Sequence, residues 1–347
     1  AKGRLSPARV PRVHDAYRAV GATVEAGVVE RPWAKRLMLR GFFANSDKEL
    51  QHNVVMTVPY GEVNYGSKVI GSIARYEVDL PHDVSLDIVA AYSHRTVSFD
   101  DQSQWVYDWH GERIRARRVG GEIDSKPTDQ LHWQHSLFGR AGAKWQITPQ
   151  HALSFSSSTN FASRVGDERR QVDPTARDPL SAERKLLTVV SGLEYELNVL
   201  DSRLTNIVFV KDYVYGAKSE EPLPGGVFRK RDVDQHREGV GDALRFRFTP
   251  WLYLKASYEY ATRLPGPDEL YGDGILVHAN LDLQPEISHN ANLGPRLELM
   301  RTPFGDFIAE VSGFLRDADH LVVLLGNDRF MTYQNVYGAR SLGVETA

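Results

Sequence analysis

The sequence has no cysteine, no long apolar run and no excess of basic residues. Without cysteine the chain can form neither a disulfide nor a thiolate metal site. No segment approaches the roughly 18 consecutive apolar residues that a membrane-spanning helix needs, and the mean hydropathy is -0.39. The 42 Lys and Arg residues are balanced by 45 Asp and Glu residues, so there is no basic surface for nucleic acid. Disulfide scaffolds, helical membrane proteins and nucleic-acid-binding proteins are therefore excluded.

Catalytic and metal-binding motifs are missing as well. The sequence contains no Gly-x-Ser-x-Gly elbow, no phosphate-binding glycine loop and no His-Glu-x-x-His. His132 and His135 are three positions apart, and on a strand this spacing puts them on opposite faces, which argues against a zinc site. We predict no enzymatic activity, no cofactor and no bound metal.

What the sequence does contain is alternation of apolar and polar residues. In one segment Leu244 and Phe248 fall on one face, while Arg245 and Arg247 fall on the other. Burying two unpaired arginines in a dry core would carry a large desolvation penalty. One face of the predicted sheet is therefore apolar and the other is in contact with water.

About thirteen such segments follow one another, and short turns alternate strictly with long loops. The long loops are predicted around 46–66, 98–135, 163–185, 217–241 and 263–288. A bilayer forbids unpaired backbone, so strands that cross it must close into a barrel with short turns at one end. The pattern predicts an all-β fold, a transmembrane antiparallel up-and-down β-barrel. Aromatic residues near the short turns would form an interfacial girdle: Trp145, Phe248, Trp251, Tyr253, Phe304 and Phe307.

Three stretches resemble TonB-dependent outer-membrane receptors. The family carries an Arg-Pro-rich box leading to Glu-Leu-Tyr or Glu-Leu-Phe, then an Asn-x-Asp/Asn-Leu-x-Pro-Glu box, and later a strand pair with an Asn and a Gly-Val-Glu triplet. The first box matches Arg263, Pro265, Pro267, Glu269, Leu270 and Tyr271. The second matches Asn280, Asp282, Leu283, Pro285 and Glu286, and the late strand pair matches Asn335, Gly343 and Glu345.

The resemblance implies a barrel of the 22-strand type in the bacterial outer membrane. It also implies a plug domain that contacts TonB and powers uptake of a scarce ligand, most often a ferric siderophore. The family's plug and last strands have no counterpart in these 347 residues. We therefore expect residues 1–347 to form a single partial barrel domain, surrounded by outer-membrane lipid, with TonB contacted through a plug outside this chain.

Ligand contacts are expected in the extracellular loops, because binding residues concentrate on loops held by a rigid scaffold. The loop around 98–135 combines aromatic rings with arginines, which suits an anionic, partly planar ligand. Its candidates are Trp105, Tyr107, Trp109, Arg113 and Arg115. The same segment can also be read as an extended hairpin above the membrane. His278 lies between the two boxes, where haem-uptake members of the family carry an axial histidine.

The inward face is predicted to line the lumen and to meet a plug, although most of its charges can also be simply solvated. Its candidates are Glu194, Glu196, Arg245, Arg247, Lys255, Glu259, Glu298 and Glu310. Two other functions remain open, a passive porin-like channel and a soluble β-rich binding module. The ligand also remains open among a siderophore, haem, cobalamin and a carbohydrate.

Overall fold

The chain folds into one large antiparallel sheet. The computed structural model describes residues 9–53, 55–123, 126–170, 177–223, 227–273, 276–327 and 331–347. Its elements, in chain order, are β1 (Tyr17–Arg31), β2 (Ala34–Glu49), β3 (Asn64–Leu80), β4 (Val84–Asp101), β5 (Trp105–Tyr107), β6 (Arg113–Ala116), β7 (Thr128–Thr148), β8 (His151–Glu168), a 3-10 turn (Pro179–Ser181), β9 (Arg184–Val199), β10 (Leu204–Leu223), β11 (Val227–Thr249), β12 (Leu252–Arg263), α1 (Pro267–Tyr271), β13 (Val277–His278), β14 (Glu286–Thr302), β15 (Gly305–Asp319), β16 (Leu321–Gly326), β17 (Met331–Val336) and β18 (Ala339–Thr346).

Thirteen strands make up this sheet, and each pairs with its neighbour along the chain. The spatial order is β1-β2-β3-β4-β7-β8-β9-β10-β11-β12-β14-β15-β18, and the remaining strands form two small sheets in the loops. The predicted up-and-down meander and its strand number are confirmed. Among the described residues, no helix combines the length and apolarity needed to cross a membrane.

One expected loop is mostly strand. β10 and β11 stay paired up to Leu223 and Val227, so the loop predicted at 217–241 shrinks to the tip of a long hairpin. The extension carries charge on its exposed face, where Lys218 lies 3.6 Å from Asp232. A strand with two polar faces gives no apolar alternation, so the sequence pattern did not reveal it.

The strand register brings apolar residues together on the outward face. Val84 pairs with Trp145, which pairs with Leu153, and the row continues through Tyr195 to Val208. The row begins beside a short turn in β4 and runs away from the turns as it crosses the sheet, so the strands are tilted as barrel closure requires. Trp145, Tyr195 and Val208 are exposed, as lipid-facing residues are.

Aromatic residues mark both borders of this apolar band. Near the short turns Phe248, Trp251 and Phe307 are exposed, and near the long loops the Tyr92 hydroxyl lies 2.8 Å from Nδ1 of His135. The predicted girdle needs one correction, because Tyr253 faces the lumen, where its ring lies 5.8 Å from the guanidinium of Arg245. Its neighbours Leu252 and Leu254 occupy the outward face, since successive residues on a strand alternate.

The inward face carries a network of ion pairs. Arg75 contacts both Glu77 and Asp87, and Arg140 also contacts Asp87 at 2.5 Å. Further along the sheet the network continues with Lys144–Glu196, Lys211–Glu259, Lys255–Glu310, Arg296–Glu298 and Arg296–Glu310. Most of these groups are partly solvated, so each pair contributes only modestly to stability.

Buried apolar residues concentrate at the loop end instead of inside the wall. The larger cluster consists of Leu186, Tyr215, Ala217, Leu270, Tyr271 and Leu283, and a smaller one of Tyr60, Val63 and Phe99. A sheet with one face to lipid and one to the lumen has no core of its own. Loops that fold back onto the inward face therefore provide the dry packing at this rim.

Candidate ligand-binding rim

The loop between β12 and β14 folds inward over β8 to β11. It opens with α1, whose first residue is Pro267, and the Glu269 carboxylate accepts the Gly266 backbone N–H at 2.7 Å. The helix ends at Tyr271 and is capped by Gly272, which has φ 64. An added Cβ there would lie 1.9 Å from the carbonyl oxygen of Val277, so both the backbone angle and the space require glycine. From the sequence we also expect Gly274 to permit a bend in this loop, but this residue lies outside the described residues.

Arg263 joins the two family boxes. Its guanidinium lies 3.0 Å from Glu269 and 2.7 Å from Glu286. Glu286 also accepts the backbone N–H of Val322 at 2.7 Å. Partial burial opposes ionisation of Glu286, but its bonds to Arg263 and Val322 outweigh it and lower the pKa of this carboxyl. These charge-assisted hydrogen bonds therefore hold the two ends of the loop, at β12 and β14, close together.

Tyr271 fixes the loop against the wall. Its ring is 2% exposed, and its hydroxyl donates to the backbone oxygen of Lys185 in β9 at 2.5 Å. Burial raises the pKa of Tyr271 well above its ordinary value, so the hydroxyl stays a donor at neutral pH. Leu270 and Leu283, which belong to the same cluster, are fully buried. The side chain is enclosed within the protein and has no surface to offer a ligand.

Arg164, in β8, holds the far end of the loop. Its guanidinium donates to the Gly272 carbonyl at 2.6 Å and to Gln134 at 2.7 Å, and it forms an ion pair with Asp268. Arg164 is 8% exposed. The sequence gives no local signal for this contact, because its partners are distant in the chain.

The second box and the late strand pair meet at one place. The Asn280 side chain donates to the Tyr333 carbonyl at 2.8 Å, while Asn335 accepts the Gln284 N–H at 2.7 Å and donates to the Gln284 carbonyl at 2.9 Å. Asp282 reaches Arg231 of β11, and Leu283 is completely buried. These polar residues therefore brace two loops against each other.

Gly343 and Glu345 lie elsewhere, in the edge strand β18. Gly343 pairs with Phe314 and Glu345 with Ser312. A Cβ at Gly343 would lie 2.6 Å from the Phe314 ring, so this glycine makes room for an aromatic neighbour. Neither residue is near the loops.

The arginine-aromatic segment forms a two-stranded hairpin, β5 with β6, in the loop that follows β4. The Arg113 guanidinium stacks 5.2 Å from the centre of the Trp105 ring and lies 3.0 Å from Glu62. Tyr107 is buried and its hydroxyl also donates to Glu62. This hydrogen bond is the main reason why the pKa of Glu62 is lowered. Tyr107 thus serves the packing between two loops.

The other hairpin candidates differ in what they present. Trp109 is half-buried against His52, with ring centres 6.0 Å apart. Arg115 is exposed and Trp105 half-buried. His278 is exposed as well, with its backbone paired to Thr332 of β17. Arg115, the Trp105–Arg113 stack and His278 are therefore the predicted residues that face solvent.

Two buried carboxylates, which the sequence did not single out, join the loop after β4 to the loop after β2. Glu122 accepts the backbone N–H groups of Gly61 and Glu62, both at 2.8 Å. Asp101 accepts those of Glu122 and Ile123 at 2.6 and 2.9 Å. Burial raises the pKa of Glu122 to about 7, against the effect of its two hydrogen bonds.

Beneath the rim the inward face encloses a cavity of about 540 Å³. It lies below the loop segment Leu264–Pro267, and its lining includes the rings of Phe42, Phe138 and Tyr213. Within the described residues, no group of three or more His, Cys, Asp or Glu could hold a metal ion. His132 and His135 indeed take opposite faces, since His132 is buried inside and His135 bonds to Tyr92 outside. The rim thus offers an apolar, aromatic-lined space with basic and aromatic side chains above it.

Comparisons with known proteins agree with this architecture. Residues 231–347 match the family described as "TonB dependent receptor-like, beta-barrel". This part of the chain therefore matches the barrel domain of TonB-dependent receptors. Proteins of this family reside in the bacterial outer membrane and are transporters without enzymatic activity. A search of curated proteins by sequence gives no match.

Solved structures extend the likeness over the whole sheet. The copper transporter OprC superposes with a TM-score of 0.70 at 12% identity, over 96% of this chain and 50% of that protein. The FrpB iron transporter from Neisseria meningitidis gives 0.66 at 11% identity, over 97% and 50%. The Serratia marcescens hemophore receptor HasR, solved with its hemophore HasA and heme, gives 0.63 at 14% identity, over 95% and 51%. The chain thus spans about half the length of the receptors it matches.

Proposed function

We propose that this chain forms the wall and extracellular rim of a receptor that takes up a ferric siderophore, or a similar anionic and partly planar ligand, with energy supplied through TonB. The observation that carries the proposal is the hairpin β5–β6, which presents the Trp105–Arg113 stack and Arg115 on a loop above the lumen. A planar anion can stack on the indole and accept charge-assisted hydrogen bonds from the guanidinium groups.

The aromatic-lined cavity supports the same ligand class. Its volume of about 540 Å³ falls within the roughly 300–1,000 Å³ of small-molecule sites. The ion pairs of the inward face, such as Lys211–Glu259, lie below it and provide a polar surface for a plug domain. Coupling to TonB rests on such a plug in the parent receptor.

The binding test uses the intact receptor and a panel of ferric siderophores, haem, cobalamin and an oligosaccharide. Arg115→Ala and Trp105→Ala should each weaken binding of the preferred ferric siderophore about tenfold, which corresponds to about 1.4 kcal/mol. Arg301→Ala and Trp33→Phe are matched controls at the short-turn end of the sheet and should leave Kd unchanged. Unchanged affinity in both rim variants would refute the assignment of this hairpin.

Energy coupling has a separate test. Uptake of the bound ligand into cells should stop when TonB is deleted, while surface binding persists. Uptake that continues without TonB and rises linearly with ligand concentration would identify a passive porin-like channel instead.

Haem is the second candidate ligand, because His278 is exposed in the loop between the two boxes. A neutral imidazole is a competent iron ligand. Haem binding whose Soret band shifts on His278→Ala, with no affinity for ferric siderophores, would favour this function over the first.

A further inference from the structure

The outward face carries carboxylates among its exposed apolar residues, including Asp242, which accepts a hydrogen bond from the Asn206 side chain, and the pair Asp212 and Glu238. Asp212 of β10 and Glu238 of β11 are direct cross-strand partners on this face. Each has apolar neighbours along its strand, Val210 and Val214 beside Asp212 and Val240 beside Glu238, and all three valines are exposed. Like charges placed directly opposite each other destabilise a sheet.

An apolar groove of about 580 Å³ runs along the wall just below these carboxylates. Phe155, Leu193, Val210, Val240 and Tyr260 line it, and Asp212 and Glu238 line its end nearest the long loops. The direction follows from the register, because β10 leads from Val210 to Asp212 away from its short turn and β11 leads from Glu238 to Val240 toward its own. The groove is therefore apolar at bilayer depth and acidic toward the extracellular head groups.

The chain supplies little positive charge to this end of the groove. Asp212 forms an ion pair with His236, the outward residue one step above Glu238. The Glu238 side chain has no hydrogen bond or ion pair with any residue in the described part of the chain. The outward neighbours Ser191, Val214 and Val240 carry no charge. A second copy of the chain docked here through the same surface would bring further carboxylates, so self-association is disfavoured.

We propose that this groove binds a membrane lipid whose head group carries a primary ammonium. The acyl chain lies along Phe155, Leu193 and Val210, and the ammonium lies between the carboxylates of Asp212 and Glu238. Charge complementarity at one end and apolar surface along the rest match the two parts of such a lipid. This site is on the outside of the barrel and is independent of the ligand proposed for the rim.

The test measures lipid retention by the full-length receptor, using native mass spectrometry in mild detergent. Phosphatidylethanolamine is the probe, phosphatidylglycerol the anionic comparison and phosphatidylcholine the comparison that lacks N–H donors. The receptor should retain phosphatidylethanolamine at least tenfold more tightly than either comparison lipid. Equal retention of the three lipids would overturn the proposal.

Variants locate the site. Asp212→Asn combined with Glu238→Gln should abolish the preference for phosphatidylethanolamine, and Val240→Trp, which fills the groove, should reduce retention of every lipid. Asp234→Asn is the control, because this outward carboxylate is on the same strand but outside the groove. Heat-modifiable migration in gels shows that each variant barrel is folded.

A photo-cross-linking residue at Val210 in living cells gives an independent result. Cross-links to lipid support the proposal. A discrete cross-linked protein that disappears in the Asp212→Asn, Glu238→Gln variant would overturn it in favour of a basic membrane-protein partner.

Discussion

Tyr271→Phe tests whether a single hydroxyl holds the inward-folded loop. The substitution keeps the buried ring but removes the O–H that donates to the Lys185 carbonyl at 2.5 Å. A buried carbonyl left without its donor costs about 1–3 kcal/mol. Because the hydroxyl joins the loop to β9, this cost should appear as easier opening of the loop and not as unfolding of the barrel.

Hydrogen–deuterium exchange of peptides covering 264–285 measures that opening. A loss of about 1–3 kcal/mol corresponds to exchange roughly 5–150-fold faster, with the greatest change at the amides of Leu270 and Asn280, which bond to the Gly266 and Leu270 carbonyls. Peptides from β3 and β4 should not change. Tyr337→Phe is the control, since that ring is 96% exposed. Exchange in Tyr271→Phe within about twofold of the unaltered receptor would refute the reasoning.

Three further predictions concern the rim. The pKa of Glu122 is raised to about 7 in the folded protein from 4.5, so its protonated form stabilises the packed loops below about pH 4.5 and this contribution is lost as pH rises through 7. The protection factors of the amides at 55–63, which correct exchange rates for the intrinsic effect of pH, should therefore fall from pH 5 to 8, and Glu122→Gln should remove that fall. Gly272→Ala should release the loop, because its Cβ would strike the Val277 carbonyl, whereas Gly139→Ala, with nothing within 4 Å, should match the unaltered receptor in exchange. Arg164→Met should expose α1 to protease without changing β-sheet circular dichroism, and an unchanged cleavage rate would contradict the role given to its contacts with Gly272 and Asp268.

Prediction from the sequence succeeded where the physics is local. Alternation along a strand assigns each residue to a face whatever its partners are, so the outward Leu244 and the inward Arg245 could be placed without a structure. The same rule separated His132 from His135. It was misapplied only to Tyr253, which was assigned by its distance from a turn instead of by its position in the alternation.

Contacts between distant segments could not be predicted in this way. Arg164 meets Asp268, and Glu122 meets Gly61, only because loops from different hairpins fold over the same part of the inward face. The sequence showed Trp105, Tyr107 and Arg113 as one ligand-binding group. The structure divides them, because Tyr107 is buried against Glu62 while Arg113 stacks on Trp105.

The sequence by itself determined the class of this protein, a β-barrel wall with one apolar and one polar face, because a bilayer imposes a two-residue period that any single strand displays. Only the tertiary structure decided what the motif residues do. Arg263 forms an ion pair with Glu269, the Tyr271 hydroxyl donates to the Lys185 carbonyl, and Asn335 donates to the Gln284 carbonyl. The tertiary structure also showed that Asp212 and Glu238 are cross-strand partners on the outward face. Such roles depend on strand register and loop packing, which join residues far apart in the chain and leave no local pattern.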